Sequence, residues 1–399
     1  MVGRRDFLLA CASAGAAPVL LGAESEPALE IERSPIGRAL VLSGGGARGA
    51  YEAGLVCGLA ARDAIPDGAP LRDYDMVCGT SIGALNGWFV ATGQYSKLKD
   101  LWYGISGEEL IELKRQYAAL RDPDSGLIDR GLAAWHLHGL VVDQKAVLEA
   151  QAIFAWIARH VDPERPVLVP LVWAVTNLST QRPEYFYLRP NAAGEALPAK
   201  VRGALKQTLG PNTIVREATP QTLQSAIFAS AAIPIAFDPV HIPGDDAPNV
   251  YCDGGVASNS PVGIAHAIAR AADVVLLDPP LHPAAIGDAI DIAFDVYGTM
   301  QRKLLEGEMR STYFQSVGKR VLEHVDLRAV PASADRSQVE EFVRNATATD
   351  LRYIRPQATL PVGVVEFENE AGIGQAFRLG WQDVTTRGFS NYDWRTFEL

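Results

Sequence analysis

"DMVCGTSIGALNGWFVATG", Asp75 to Gly93, sets the reading of the whole chain. Asp75 to Cys78 is a short, largely apolar run of strand character, and Ala84 to Gly93 is an apolar helix. Between them stands Gly79-Thr80-Ser81-Ile82-Gly83, a G-x-S-x-G turn. On such a strand-to-helix turn a serine hydroxyl is lifted clear of the sheet edge, and the flanking glycines leave room for close backbone approach. The helix that follows points its N-terminus at the serine and favours negative charge there. An ordinary serine in a βα loop is the competing reading, and the five residues alone do not choose.

The same order of elements occurs just upstream. Arg38 to Leu42 reads as a buried strand and Ala50 to Arg62 as a helix, with Gly44-Gly45-Gly46-Ala47-Arg48-Gly49 between them. Two strand–glycine turn–helix units in close succession imply a parallel sheet with crossover helices, hence an α/β fold. The glycine run also matches G-x-G-x-x-G, the pattern of a dinucleotide site. That reading asks for an acidic residue at the end of the next strand, where Cys78 stands instead, and no Lys-Ser or Lys-Thr follows as in a phosphate loop. The alternative is an oxyanion hole built from the amides of this loop, with Arg48 bracing it or lending positive field.

Further along, Val167 to Thr176 and Glu184 to Leu188 read as strands, 190–220 as an irregular excursion, and Gln221 to Ala232 as a helix ending at Ile233-Pro234. Tyr251-Cys252 ends a strand at Asp253-Gly254-Gly255. Ser260 suits an N-cap and Pro261 a first helical position for a helix over Val262 to Ala271. Val274 to Asp278 is expected as a strand, about Ala285 to Val317 as one long helix, Arg320 to Arg328 as a strand, Val364 to Phe367 as extended, and Gly372 to Arg387 as a closing helix. Asp253 is a candidate general base. A free aspartate, with a pKa of about 3.9, is a poor one, and burial beside the glycine loop would raise it. The competing reading is a turn-forming Asp-Gly.

Taken in order, "GGGARG", "GTSIG", "SAAIP" (Ser230 to Pro234) and "DGG" with "NSP" resemble the patatin-like phospholipase family. "VPLVWAVTNLSTQ", "RYIRPQATLPV" and "AFRLGWQD" extend the resemblance over most of the chain after its first residues. It implies a three-layer α/β/α sandwich with a mainly parallel central sheet. It also implies a Ser–Asp dyad without histidine: Ser81 as nucleophile and Asp253 as base. Gly44, Gly45, Gly46, Ala47 and Arg48 would form the oxyanion loop, supported by Gly49, Gly79, Gly83, Gly254 and Gly255. The implied substrates are fatty-acyl esters of phospholipids or related lipids, met at a transient membrane or micelle surface, with no metal and no cofactor. A soluble esterase or thioesterase for short acyl groups shares all three motifs, and a non-catalytic nucleotide-binding or scaffold protein is the remaining alternative. His241, His266 and His282 are read as surface or packing histidines.

Composition bounds the rest. The 399 residues carry a formal net charge of -11 and are 48% apolar, which speaks against nucleic-acid binding and for a sizeable core. Residues 1–23, with Arg4-Arg5 ahead of Phe7-Leu8-Leu9, read as a twin-arginine-like signal peptide and hence export, to the periplasm of a bacterium; the alternative is a frayed apolar N-terminus on a cytoplasmic protein. Residues 24–37 are expected as a linker, 38–284 as the catalytic core, and 285–399 as an extension packed on it. Cys57, Cys78 and Cys252 are read as buried apolar residues, with a Cys78–Cys252 bridge as the alternative. Trp135, Leu137, Leu140 and Val141 suggest a greasy lip for an acyl chain, or plain helix packing.

Overall fold

The computed structural model describes residues 36–105, 107, 148–190, 205–206, 209–210, 212–234, 236–244, 249–280, 289–322 and 348–397. The expected signal peptide, the Trp135–Val141 lip and His282 lie outside them.

The chain opens with β1 (Ile36–Leu42), α1 (Gly49–Arg62), β2 (Met76–Thr80), α2 (Ile82–Ala91) and α3 (Tyr95–Tyr103). Next come α4 (Ala150–His160), β3 (Leu171–Asn177), β4 (Arg182–Leu188), β5 (Ile214–Glu217), α5 (Leu223–Ala231) and β6 (Tyr251–Asp253). It ends with α6 (Val262–Ile268), β7 (Ala269–Val275), α7 (Ala289–Leu322), β8 (Asp350–Ile354), α8 (Glu370–Thr386) and β9 (Ser390–Asn391). The nine strands among the described residues join one sheet in the order β5-β4-β3-β2-β1-β7-β8-β9, with β6 paired to β3. The pairs β1–β2, β1–β7, β2–β3, β4–β5 and β7–β8 are parallel; β3–β4, β3–β6 and β8–β9 are antiparallel.

Side-chain alternation sorts the core into two layers. Leu40, Leu42, Val77, Trp173 and Val175 face α1, α2, α5 and α8. Ala39, Val41, Met76, Cys78, Val172 and Ala174 face α6 and α7, which contribute Val262, Ile264, Leu305 and Met309. The three-layer sandwich with a mostly parallel sheet is therefore present. The three cysteines at 57, 78 and 252 are free and buried.

Several boundaries differ from expectation. β1 begins at Ile36, inside the expected linker, and β5 forms within the stretch read as irregular. The helix expected to reach Ala271 stops at Ile268. "ARAADVV" then runs as β7 in place of a strand over Val274 to Asp278. Its alanines favour helix, but the position between β1 and β8 supplies two rows of backbone partners, and tertiary context overrides propensity. Pro261, not Ser260, is the N-cap of α6, because the Ser260 hydroxyl is drawn to that of Ser43. Residues 320–322 end α7 rather than opening a strand, and the extended run expected at Val364 to Phe367 is a pair of turns.

Residues 350–397 add β8 and β9 to the same sheet, and α8 lies directly on α1. There the backbones touch: a methyl group on Gly54 would strike the Phe377 carbonyl, and one on Gly380 the Tyr51 carbonyl. Any larger residue at either position would push the two helices apart.

Two features of the topology position the site. From β1 the chain winds outward through β2 and β3, then returns to β7 on the other side of β1. The crevice beyond the carboxyl ends of β1 and β2 thus lies beside a topological switch point. β2 pairs with β3 only as far as Thr80 opposite Ala174. β6 then continues along the same edge from the other direction, with Asp253 opposite Val175. Two strands meet end to end there, which brings Asp253 to the residue that follows Thr80.

Candidate active site

That residue is Ser81, with φ 55° and ψ −126°. A positive φ is rare for a residue with a Cβ and costs on the order of 1–3 kcal/mol. The surroundings hold it. The Ser81 amide donates to Ser230 Oγ at 2.8 Å, and the Ser230 hydroxyl donates to the Ala174 carbonyl at 2.6 Å. The Ser81 carbonyl accepts from Ala84 at 2.9 Å, which starts α2. Glycine at 79 and at 83 is required by contact: an added methyl would meet the Gly83 carbonyl in one case and the Leu42 carbonyl in the other. Ser81 makes no side-chain cap to its helix, and its hydroxyl lies near enough to the Asp253 carboxyl to lower the pKa of that group.

Asp253 is 1% exposed. Its amide donates to the Ala232 carbonyl at 2.8 Å, and its carbonyl accepts from Thr176 Oγ1 at 2.8 Å. The carboxylate atom Oδ1 accepts from the Gly255 amide at 2.5 Å and from the Tyr297 hydroxyl at 3.3 Å. Gly254 packs against the Ala174 carbonyl, with no room for a side chain. Burial lifts the Asp253 pKa from the usual carboxylate value to about 6, although hydrogen bonds from Ser81, Gly255 and Tyr297 pull it down.

The glycine loop runs against the serine. A methyl on Gly44 would come 3.1 Å from Ser81 Cβ, and one on Gly49 would press on Ile82. The loop's amides have different fates. Gly44 donates to the Asn259 carbonyl at 2.9 Å, Ala47 to the Val364 carbonyl at 2.8 Å and Arg48 to the Gly45 carbonyl at 3.2 Å. Those three are occupied in holding the loop. The amides of Gly45 and Gly46 donate to nothing among the described residues, and Gly46 has φ 55°. The Arg48 side chain pairs with Asp278 at 2.6 Å and braces the loop from outside.

Beneath the loop lies a buried polar network with no cation in it. Glu52 Oε1 accepts from the Ser43 amide at 2.6 Å and Oε2 from Asn86 Nδ2 at 3.2 Å. Asn86 Oδ1 accepts in turn from Trp102 Nε1 at 2.9 Å. Burial pushes the Glu52 pKa well up, against the lowering effect of the hydrogen bonds that it accepts from Asn86 and Ser43.

The described histidines stand elsewhere. His266 is buried between Thr349 Oγ1 at 3.0 Å and Gln315 Oε1 at 3.1 Å, and burial lowers its pKa to about 4. His241 meets the Asn249 carbonyl. Sequence reading missed Ser230 as the holder of the elbow, although it lies in the quoted SAAIP stretch. It also missed Tyr297, for which no local signal exists.

Comparison with known proteins identifies a family for the chain. The family model described as patatin-like phospholipase matches residues 40–266. Among solved structures, the crystal structure of VipD from Legionella pneumophila is similar at 15% identity. The match covers 90% of this chain and 68% of that one, with a TM-score of 0.37. No curated protein matches. With more than half its length matched by that model, the chain belongs to the patatin-like phospholipase family, whose members are lipid acyl hydrolases.

Proposed function

We propose that Ser81 and Asp253 are the catalytic dyad of a hydrolase that cleaves fatty-acyl esters of phospholipids or related lipids through an acyl-enzyme. The observation that carries this reading is the meeting of β2 and β6 end to end along β3, which sets the Ser81 turn beside a buried carboxyl whose pKa lies near 6. Asp253 takes the proton from Ser81 Oγ as that oxygen attacks the ester carbonyl carbon. The carbonyl oxygen becomes an oxyanion and accepts from the Gly45 and Gly46 amides, each worth about 3 kcal/mol of barrier. Collapse breaks the bond to the alcohol, which leaves with the proton from Asp253. Water then gives a proton to Asp253 and attacks the acyl-enzyme, and collapse returns the proton to Ser81 and frees the fatty acid. Oδ1 already accepts two hydrogen bonds, so Oδ2 is the oxygen for proton transfer.

A fluorophosphonate probe tests the nucleophile: it should label the protein, and Ser81→Ala should remove the label. Hydrolysis of micellar long-chain against monomeric short-chain esters tests the substrate class, and rapid turnover of short esters with none on lipid would replace lipid by a soluble ester or thioester. We also propose export directed by residues 1–23, to be checked by sequencing the N-terminus of the native protein.

A further inference from the structure

α7 lies beyond the family match, yet it reaches the site. The Tyr297 hydroxyl donates to Asp253 Oδ1 at 3.3 Å. Gln301, one turn on and buried, packs so closely on Gly255 that a methyl there would strike its Nε2, and it lies near enough to the Tyr297 phenol to lower the pKa of that group. Glu308, two turns further, accepts from Ser258 Oγ at 3.0 Å. Spacings of four and seven put all three on one helix face, turned to the 253–258 loop.

We propose that Tyr297, held by Gln301, is a positioning residue that fixes the Asp253 carboxylate through Oδ1 and turns Oδ2 to the Ser81 hydroxyl. This rests on the dyad reading above. The Gly255 amide comes from the same loop as Asp253 and moves with it, whereas Tyr297 comes from a separate element and gives the carboxylate an external reference. A phenol also orients without a net charge. Lysine or arginine in its place would stabilise the carboxylate strongly and weaken it as a base. Burial and the nearby Asp253 push the Tyr297 pKa up, so it remains a proton donor over the working range.

The other groups about Asp253 are few. Ser81 faces it from the β2 turn. From β6, the Cys252 thiol is raised to about 12 by burial and by Asp253 itself. Glu308 from α7 and Tyr185 from β4 meet at Ser258, one step away. Among the described residues no lysine or arginine acts on Asp253.

Tyr297→Phe keeps the ring and removes the donor. Because that donor favours the ionised carboxylate, its loss should raise the Asp253 pKa. In full-length protein carrying carboxyl-13C aspartate, with the Asp253 signal assigned by its loss in Asp253→Asn, the titration should move up by about half a unit to one unit. The acid limb of ester hydrolysis should move equally, and the plateau should fall by about three- to tenfold as the carboxylate loses its fixed orientation. Gln301→Leu should give a smaller shift in the same direction, and it serves as the test should Tyr297→Phe not fold. An Asp253 titration unmoved in the variant overturns the proposal, whatever happens to thermal stability. If the titration moves but Ser81 takes no probe and no ester is cleaved, the positioning role stands and the hydrolase reading falls. If Ser81 labels normally and the titration is unmoved, the hydrolase reading stands and Tyr297 leaves it.

Discussion

Two aspartates of the same sheet, both fully buried, sit in opposite electrostatic settings. Asp273 on β7 is 0% exposed and bound by two guanidinium groups. Arg38 Nη1 lies at 2.9 Å from it, Arg352 Nε at 2.7 Å and Nη2 at 2.5 Å, and the Tyr74 hydroxyl at 2.8 Å. Among the described residues Asp253 is met only by neutral groups: a serine, a tyrosine and a backbone amide. A carboxylate clamped by cations from β1 and β8 ties those strands to β7. One with neutral partners keeps its basicity. The sheet thus holds one residue type in a clamped setting at Asp273 and in an unclamped one at Asp253, where we propose it acts as the base.

Exchanging each for asparagine should separate the two roles most widely. Asp253→Asn leaves no proton acceptor and should lower kcat by about 10⁴-fold or more, as should Ser81→Ala, with the fold intact. Asp273→Asn should leave kcat within a few-fold and lower stability by about 2 kcal/mol in denaturant unfolding. The figure stays below the 3–5 kcal/mol of a fully buried broken pair because Arg38 and Arg352 keep about a third of their surface in water. A large kcat loss at Asp273, or none at Asp253, would erase the distinction.

The pH dependence sharpens it. Asp253 has its folded pKa raised, so the folded state holds a proton more tightly than the unfolded chain between pH 4 and 6. Its contribution therefore favours folding below pH 4, falls as pH climbs through that window, and stays low above it, by about 2–3 kcal/mol in all. Wild type minus Asp253→Asn, measured by denaturant unfolding across pH 4 to 8, should show this decline. kcat/KM should fall tenfold per unit below about pH 6, where the base is protonated.

Ser230→Ala should act more mildly. It deprives the Ser81 amide of its acceptor and strands a buried donor, at about 1–3 kcal/mol of stability. The elbow loosens, and kcat should drop about tenfold while probe labelling of Ser81 persists at a reduced rate.

The contrast also marks what one sequence can disclose. Ser81 was legible because the elbow is local: strand, turn and helix are neighbours in the chain. Asp253 was legible through the order of motifs, but its approach to Ser81 depends on β6 taking over the edge of β3 that β2 leaves, a fact of pairing rather than of any short window. The division of the glycine loop was not legible. Gly44 and Ala47 are occupied because carbonyls of Asn259 and Val364 arrive from distant parts of the chain. β7 hid for a similar reason, since an alanine-rich run becomes a strand only when β1 and β8 flank it. Tyr297 is one aromatic residue in a long helix, and only packing shows which face meets the loop.

Arg48 sets the lower bound on these effects. It lies in the glycine loop, two residues from Gly46, and sequence reading placed it among the oxyanion residues. Its amide is occupied by Gly45 and its guanidinium points away to Asp278, with both side chains about a fifth exposed. Water screens such a pair, and pairs of this kind are worth about 0–1 kcal/mol. Arg48→Gln should therefore change unfolding free energy by less than about 1 kcal/mol and kcat by less than about threefold. Raising salt should weaken wild type toward the variant. A hundredfold loss of kcat at unchanged stability would instead mean that its positive charge reaches the oxyanion, and that cations serve both ends of the sheet after all.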